Sequence, residues 1–274
     1  MMNEDLKHYN PKGSIKQQAQ VRLLEIMCEV DKICKKHSIT YWLDFGTLLG
    51  AVRHGGFIPW DDDLDIAVFR KDYARLRKVL MEELPEDYKF QDWKNDKYAF
   101  DNYGRVRDLN SKFNYTRFRK QKYQGLFVDI FTVESMPSVK LKKRVDFLYG
   151  RVFRQLNNYG TVMYNSALKN NIVSVIAALL YPFVGGFVGL LRLYAKLFPG
   201  KKLGLSYSIY FYSERRMDEI LPCRPILFEG KEFMAPSQPE ACLTRIYGDY
   251  MRLPAEKYRI GHGVEIEVNP KKKV

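Results

Sequence analysis

Ile172 to Leu191 is a run of 20 residues without one charged side chain, in a chain whose formal net charge is +13. Such a run belongs in a buried core, across a bilayer or at its surface, because apolar area left in water forfeits the burial that drives folding. As a single helix it is long enough to cross a bilayer core. Pro182, Gly185, Gly186 and Gly189 interrupt it, however, and basic residues flank both ends: Lys169 before it, and Arg192, Lys196, Lys201 and Lys202 after it. The positive-inside rule gives a crossing no direction, so a re-entrant or interfacial hairpin is expected, with a buried helical pair as the competing reading. Immediately upstream, Leu141 to Asn158 reads as a basic amphipathic helix with Leu141, Val145, Leu148 and Val152 on one stripe.

A second feature runs against the overall charge. Asp61, Asp62, Asp63 and Asp65 crowd into the segment GTLLGAVRHGGFIPWDDDLDIAVF. Like charges about 5 to 7 Å apart repel by about 0.6 to 0.8 kcal/mol per pair even in water, and a bound divalent cation turns that cost into attraction. From Asp63 onward the chain alternates, with Leu64, Ile66 and Val68 on one side and Asp63, Asp65 and Ala67 on the other, the period of a half-buried strand. Asp63 and Asp65 then share a face about 6.6 Å apart, within reach of one ion or a bridged pair. Asp61 and Asp62 follow Pro59 and Trp60 as loop neighbours. A second acidic strand, Gly125 to Phe131, puts Asp129 between Phe127 and Phe131 on one face. A lone buried carboxylate needs a partner, either the ion held by Asp63 and Asp65 or an arginine.

The remaining elements give an α+β order. Ser14 with Gln17 opens a helix carrying Leu23, Met27, Val30 and Ile33. Tyr41 to Asp44 is a short strand, Gly46 and Thr47 a turn, and Leu48 to Val52 one or two helical turns, together a seat for a phosphate. Lys71 to Leu84 is helical, and Tyr88 to Gln91 and Arg105 to Asp108 are strands. Ile226 to Met234 makes two strands around Gly230, Pro239 to Tyr247 a helix, and Pro270 to Val274 a frayed tail. Three parts follow: a core over 1–140, a basic and hydrophobic helical insertion over 141–205 expected to associate with membrane, and a C-terminal part over 206–274 expected to complete the first. The surplus of 45 Lys and Arg over 32 Asp and Glu favours an anionic partner: nucleic acid, a phosphorylated substrate or an acidic membrane face. Cys28, Cys34, Cys223 and Cys242 have neither zinc-site nor disulfide spacing and are expected reduced and buried. No apolar signal segment opens the sequence, so a cytoplasmic protein is expected.

Taken together, GTLLGAVRHGGFIPWDDDLDI, GLFVDIF, YGDYMRLP and the late His262 resemble the LicD family, phosphocholine transferases related to the fukutin-type proteins. The first motif is the specific one, and residues 140 to 205 are much less characteristic. The resemblance implies a nucleotidyltransferase-like mixed β-sheet flanked by helices. It also implies transfer of phosphocholine, or a related phospho-alcohol, from CDP-choline or another CDP-alcohol to a hydroxyl of a glycan or lipid-linked glycan such as teichoic acid or lipopolysaccharide. In that setting Asp63, Asp65 and Asp129 hold Mg²⁺, with Mn²⁺ as an alternative, and Asp129 assists deprotonation of the attacking hydroxyl. Gly46 and Thr47 seat the diphosphate, and Arg53, Arg105 and Arg107 neutralise it through forked donors. Asp249 and His262 fall in matching motifs without a role, and Trp42, Trp60 and Tyr98 are aromatics available to a quaternary ammonium but are not assigned to one. A single bilayer crossing would part the acidic strands from YGDYMRLP, so a peripheral or monotopic enzyme on the inner face of the cell membrane is expected. The rivals are a nucleotidyltransferase acting on RNA or a small molecule, which lacks RNA-module signatures, and an inactive membrane-bound scaffold, which would have lost metal-binding acids.

Overall fold

The computed structural model describes residues 6–198 and 200–268; the frayed tail expected at Pro270 to Val274 lies outside them. At its centre is a mixed seven-stranded sheet. Its main path runs β1 (Tyr41–Leu43), β2 (Leu64–Phe69), β6 (Phe127–Ser135), β4 (Gly104–Asp108) and β3 (Tyr88–Gln91). The short β7 (Lys202–Leu205) continues the pairing from the far end of β6 to β8 (Arg215–Arg216). Among the described residues of this sheet only β2 and β6 run parallel; β1, β4, β3, β7 and β8 pair antiparallel. β5 (Ser111–Phe113) pairs with β11 (Ile266–Val268), and β9 (Arg224–Phe228) with β10 (Lys231–Ala235) about Glu229 and Gly230, both at positive φ.

Local chemistry accounts for the helices around this sheet. α1 (Ile15–Lys36) is capped by Ser14, whose Oγ accepts from the Gln17 N–H, while Gln17 Oε1 accepts in return from the Gly13 N–H. Its buried face carries the expected Leu23, Met27, Val30 and Ile33. α2 (Phe45–His54) starts three residues before the expected Leu48, because Asp44 caps it by accepting from the Phe45 N–H, and it ends at Gly55 in the left-handed region. Gly46 and Thr47 are therefore the opening turn of a helix and not a turn ahead of it. α3 (Arg70–Glu83) and α8 (Pro239–Tyr247) fall where expected; α7 (Met217–Ile220) and α5 (Tyr159–Met163) are short connectors. β2 is buried on both faces, where half-burial was expected, because helices cover it on each side, and Asp63 stands one residue ahead of it. Of the free cysteines, Cys34 and Cys242 are buried and Cys28 and Cys223 half-buried.

The expected hairpin in the uncharged run is overturned. Ala167–Leu197 is one continuous helix, α6, of 31 residues, passing through Pro182 and the glycines. At 1.5 Å per residue it is about 46 Å long. It packs beside α4 (Val139–Leu156), the amphipathic helix expected there. Ala177, Val188 and Ala195 are buried, 11 and 7 residues apart, which are whole numbers of helical turns. One stripe therefore rests on the domain along the helix's length. The opposite stripe, Phe183, Phe187, Leu190, Tyr194 and Leu197, is exposed by 48 to 76%. A buried helical pair is excluded as well, since only 11% of the most apolar window is buried. Length and composition would let α6 cross a membrane, yet it is also held polar side chain to polar side chain: Gln155 of α4 donates to the Asn170 and Ser174 side chains, and Arg192 makes a forked pair with Glu134 of β6.

Candidate functional site

The parallel pairing of β2 with β6 sets Asp65 directly beside Asp129, and the antiparallel pairing of β6 with β4 sets Asp129 beside Arg105. An acid, an acid and a base thus form one row across three strands about 4.8 Å apart. Asp65 is fixed by the first turn of α2: its N–H donates to Thr47 Oγ1 at 2.8 Å, and its carbonyl accepts from the Asp44 N–H at 3.1 Å. Arg105 Nε lies 2.7 Å from Asp129 Oδ1. The two form a buried ion pair.

These groups line one end of a cleft of about 1020 Å³, together with Asp61, Asp63, Gly46 and His262. Asp61, set aside on sequence as a loop neighbour, belongs to the acidic wall, and a Cβ on Gly46 would stand 2.9 Å from its Oδ2. Burial first, then the charges of Asp129 and Asp62, raise the Asp63 carboxyl to about 7. Burial and the neighbouring acids likewise push Asp61 and Asp65 well above the usual carboxylate range. Asp129 is raised by burial, against the opposing pull of Arg105 and Arg107. Asp62 turns to His262: Nδ1 lies 2.5 Å from its Oδ1, and the His262 backbone N–H donates to Oδ2 at 2.9 Å. That bond raises the imidazole pKa and leaves Nε2 at 3.7 Å from Asp63 Oδ2. The pairing of β11 with β5 secures the segment that delivers His262.

The residues fit a hard divalent cation by donor type and by the crowding of Asp61, Asp63 and Asp65, whose neighbouring charges raise one another's carboxyls. No three such groups among the described residues converge into a closed cage. Magnesium in phosphoryl-transfer sites keeps several waters and takes one or two carboxylates, so a closed cage is not required.

From Arg105 onward the cleft is basic and aromatic. Asp101, 2% exposed, receives Arg105 Nη2 at 3.4 Å, Arg117 Nη2 at 3.1 Å and Arg154 Nη2 at 2.9 Å. Burial works against its charge, but the guanidiniums of Arg117, Arg105 and Arg154 prevail and hold the carboxyl below its ordinary range. Arg154 and Arg151 come from α4, so the helical insertion forms part of the cleft wall. Tyrosines fill the space between, among them Tyr103, Tyr115 and Tyr210, the last lying under the Arg154 guanidinium at 4.2 Å.

Of the expected phosphate-binding residues, the structure brings Gly46 and Arg105 to the cleft and sends the others elsewhere. Thr47 acts from behind on Asp65. Arg107 is fully buried, satisfied by Gln91 Oε1, Gln121 Oε1 and the Gly125 carbonyl, and does not line the cleft. Arg53 donates to the Tyr250 carbonyl at 2.9 Å, fastening the YGDYMRLP segment to α2. From that segment Tyr247 reaches the cleft, whereas Asp249 is exposed outside it. Trp42 and Trp60 are core, and Tyr98 does not line the cleft. Asp101, Arg117 and Arg154 escaped the sequence reading, having no spacing that links them.

Residues 38–154 match the family described as "LicD/FKTN/FKRP, nucleotidyltransferase domain". Over 267 residues, 90% of this chain and 95% of the relative, the sequence is 26% identical to the "Lipopolysaccharide cholinephosphotransferase LicD" of Haemophilus influenzae. An uncharacterized protein of Rickettsia prowazekii is 39% identical over 80 residues, 29% of either chain. The "Ribitol 5-phosphate transferase FKRP" of Homo sapiens is 53% identical over 41 residues, 15% of this chain and 8% of its own.

Proposed function

We propose, for a chain that carries a LicD-family domain over residues 38–154, that it transfers phosphocholine or a related phospho-alcohol from a CDP-activated donor to a glycan hydroxyl. The named relatives move choline phosphate and ribitol 5-phosphate, so the shared chemistry is attack of a hydroxyl on an activated phospho-alcohol. The observation that carries the reading is a cleft in which the acids Asp61, Asp63, Asp65 and Asp129 meet a basic cluster, Arg105, Arg117 and Arg154 gathered by Asp101, with Arg105 joining the two through Asp129. In the reaction the acceptor oxygen bonds to the phosphorus bearing the alcohol, the bond from that phosphorus to the CMP oxygen breaks, and the acceptor proton leaves to a carboxylate.

Asp63, Asp65 and Asp129 would hold Mg²⁺, with Mn²⁺ as an alternative; the bound cation supplies neutralisation of charge on the transferring phosphoryl group. Arg105, Arg117 and Arg154 grip the phosphates through forked donors. Asp129, in the acidic trio, is the carboxylate proposed to assist removal of the acceptor proton. His262, held by Asp62, offsets part of the acidic charge from the cleft rim. The acceptors in this reading are teichoic acid, lipopolysaccharide or their lipid-linked precursors. The enzyme works as a monotopic protein on the cytoplasmic face of the membrane, with α6 lying in the interface plane, as its packed and exposed stripes suggest.

The test is incubation with CDP-choline, CDP-ribitol and CDP-glycerol, Mg²⁺ and candidate glycans, following CMP release by the native protein and Asp63→Asn. Acceptor-dependent release from one CDP-alcohol, lost in the variant, is expected. Release unchanged in Asp63→Asn would remove the acidic wall from the mechanism.

A further inference from the structure

We infer that a groove at the C-terminal end of α6 binds the headgroup and upper acyl chain of an anionic phospholipid; this rests on the membrane reading above and adds a specific lipid site to it. The groove, about 560 Å³, lies between α6, the start of α3 and the far end of β6, well removed along the sheet from Asp129. Its volume falls in the range of small-molecule sites, roughly 300 to 1,000 Å³. Phe69, Val133, Leu193, Leu203, Met217 and Leu221 give it an apolar floor. Arg70, Lys71, Arg192 and Lys196 line it as well.

The charges in the groove do not cancel. Its acid, Glu134, is taken up by the forked pair with Arg192, and Arg70 reaches it only at 3.6 Å. Lys71 and Lys196 have no acidic partner among the described residues, and both are exposed. A pocket with an apolar floor and an unneutralised cationic rim suits a molecule with an alkyl chain and a negative head. A soluble sugar phosphate would leave the floor bare; a neutral lipid would leave the lysines unused.

Position narrows the occupant to a lipid in its bilayer. The buried stripe of α6 fixes which way the helix faces, and the exposed stripe of Phe183, Phe187, Leu190, Tyr194 and Leu197 ends beside the groove. Leu193, half exposed, is both a floor residue of the groove and a flank of that stripe. A membrane covering the stripe would therefore bring its headgroup layer to Lys71 and Lys196.

Flotation of the full chain with vesicles of pure phosphatidylcholine, and of phosphatidylcholine with about one-fifth phosphatidylglycerol, tests the site. The native protein is expected to bind the anionic vesicles more tightly. Lys71→Gln with Lys196→Gln should lose about thirtyfold of that preference, the worth of two cations at a charged surface, and keep its binding to phosphatidylcholine. Neutralising two lysines elsewhere, Lys32→Gln with Lys257→Gln, should leave the preference in place. An equal loss in that control, or displacement by soluble glycerol phosphate, would overturn the groove as a lipid site. Absence of binding to either vesicle would instead remove the membrane reading itself, and the inference with it.

Discussion

Replacing Asp101 by Asn removes one charge and little volume from beneath three guanidiniums. In the native protein this carboxylate receives Arg105 at 3.4 Å, Arg117 at 3.1 Å and Arg154 at 2.9 Å. Hydrogen bonds to charged groups contribute about 1.5 to 3 kcal/mol each. The Arg105 contact is the longest, and Arg105 keeps Asp129, so little is lost there. The Arg117 and Arg154 side chains are 31% and 22% exposed, and water takes up part of their loss. Two contacts at the low end of the range give about 3 kcal/mol, similar to breaking a buried ion pair. In a chain of this size that lowers Tm by roughly 6 to 12 °C.

Two further readouts separate an anchor from mere packing. KM for the CDP-alcohol should rise by about tenfold while kcat changes less, because the arginines proposed to grip the donor lose their common post. The folded pKa of Asp101 is depressed, so its contribution is fully present above the unfolded value of about 3.9 and is lost as pH falls through the folded value. The gap in denaturant midpoint between native protein and variant should then hold from neutrality down to about pH 5 and narrow below about pH 4. A variant that melts within about 1 °C of the native protein, with unchanged KM, would refute the idea that Asp101 organises the basic end.

Thr47→Val keeps shape but strips the acceptor from the buried Asp65 N–H; a loss of about 1 to 3 kcal/mol in chemical unfolding is expected, together with lower turnover from a displaced Asp65. Arg107→Met should cost about 3 to 5 kcal/mol by the same measurement, since Gln91, Gln121 and the Gly125 carbonyl lose their donor, yet KM of the folded fraction should not move. A large KM effect there would restore Arg107 to the phosphate grip.

The acidic end was legible because strand alternation has a period of two: once Asp63 to Val68 and Gly125 to Phe131 are taken as strands, Asp65 and Asp129 must emerge on defined faces. Their being immediate neighbours was not legible, since parallel register depends on the whole sheet. The basic end was hidden for a different reason. Arg105, Arg117 and Arg154 lie on a strand, a single turn and a distant helix, and Asp101 looks like any loop acid until burial shows otherwise. Arg105 and Arg107 have identical sequence signals, but only one opens onto the cleft, because Gln91 and Gln121 close around the other. At α6 the proline and glycines argued for a break. The packed stripe of Ala177, Val188 and Ala195 carries the helix through them, and tertiary contact of that kind overrides local propensity.

The side-by-side placement of Asp65 and Asp129 has a consequence in time as well as in space. These partners are 64 positions apart in the chain, with α3, β3 and β4 between them. Pairings that close such long loops form slowly and late. The repulsion between Asp65 and Asp129 is absent from the unpaired chain and arises with that register, whereas the repulsion among Asp61, Asp62, Asp63 and Asp65 is present from the start. If the proposed cation binds there, refolding followed with and without Mg²⁺ should show faster closing or slower unfolding with the ion.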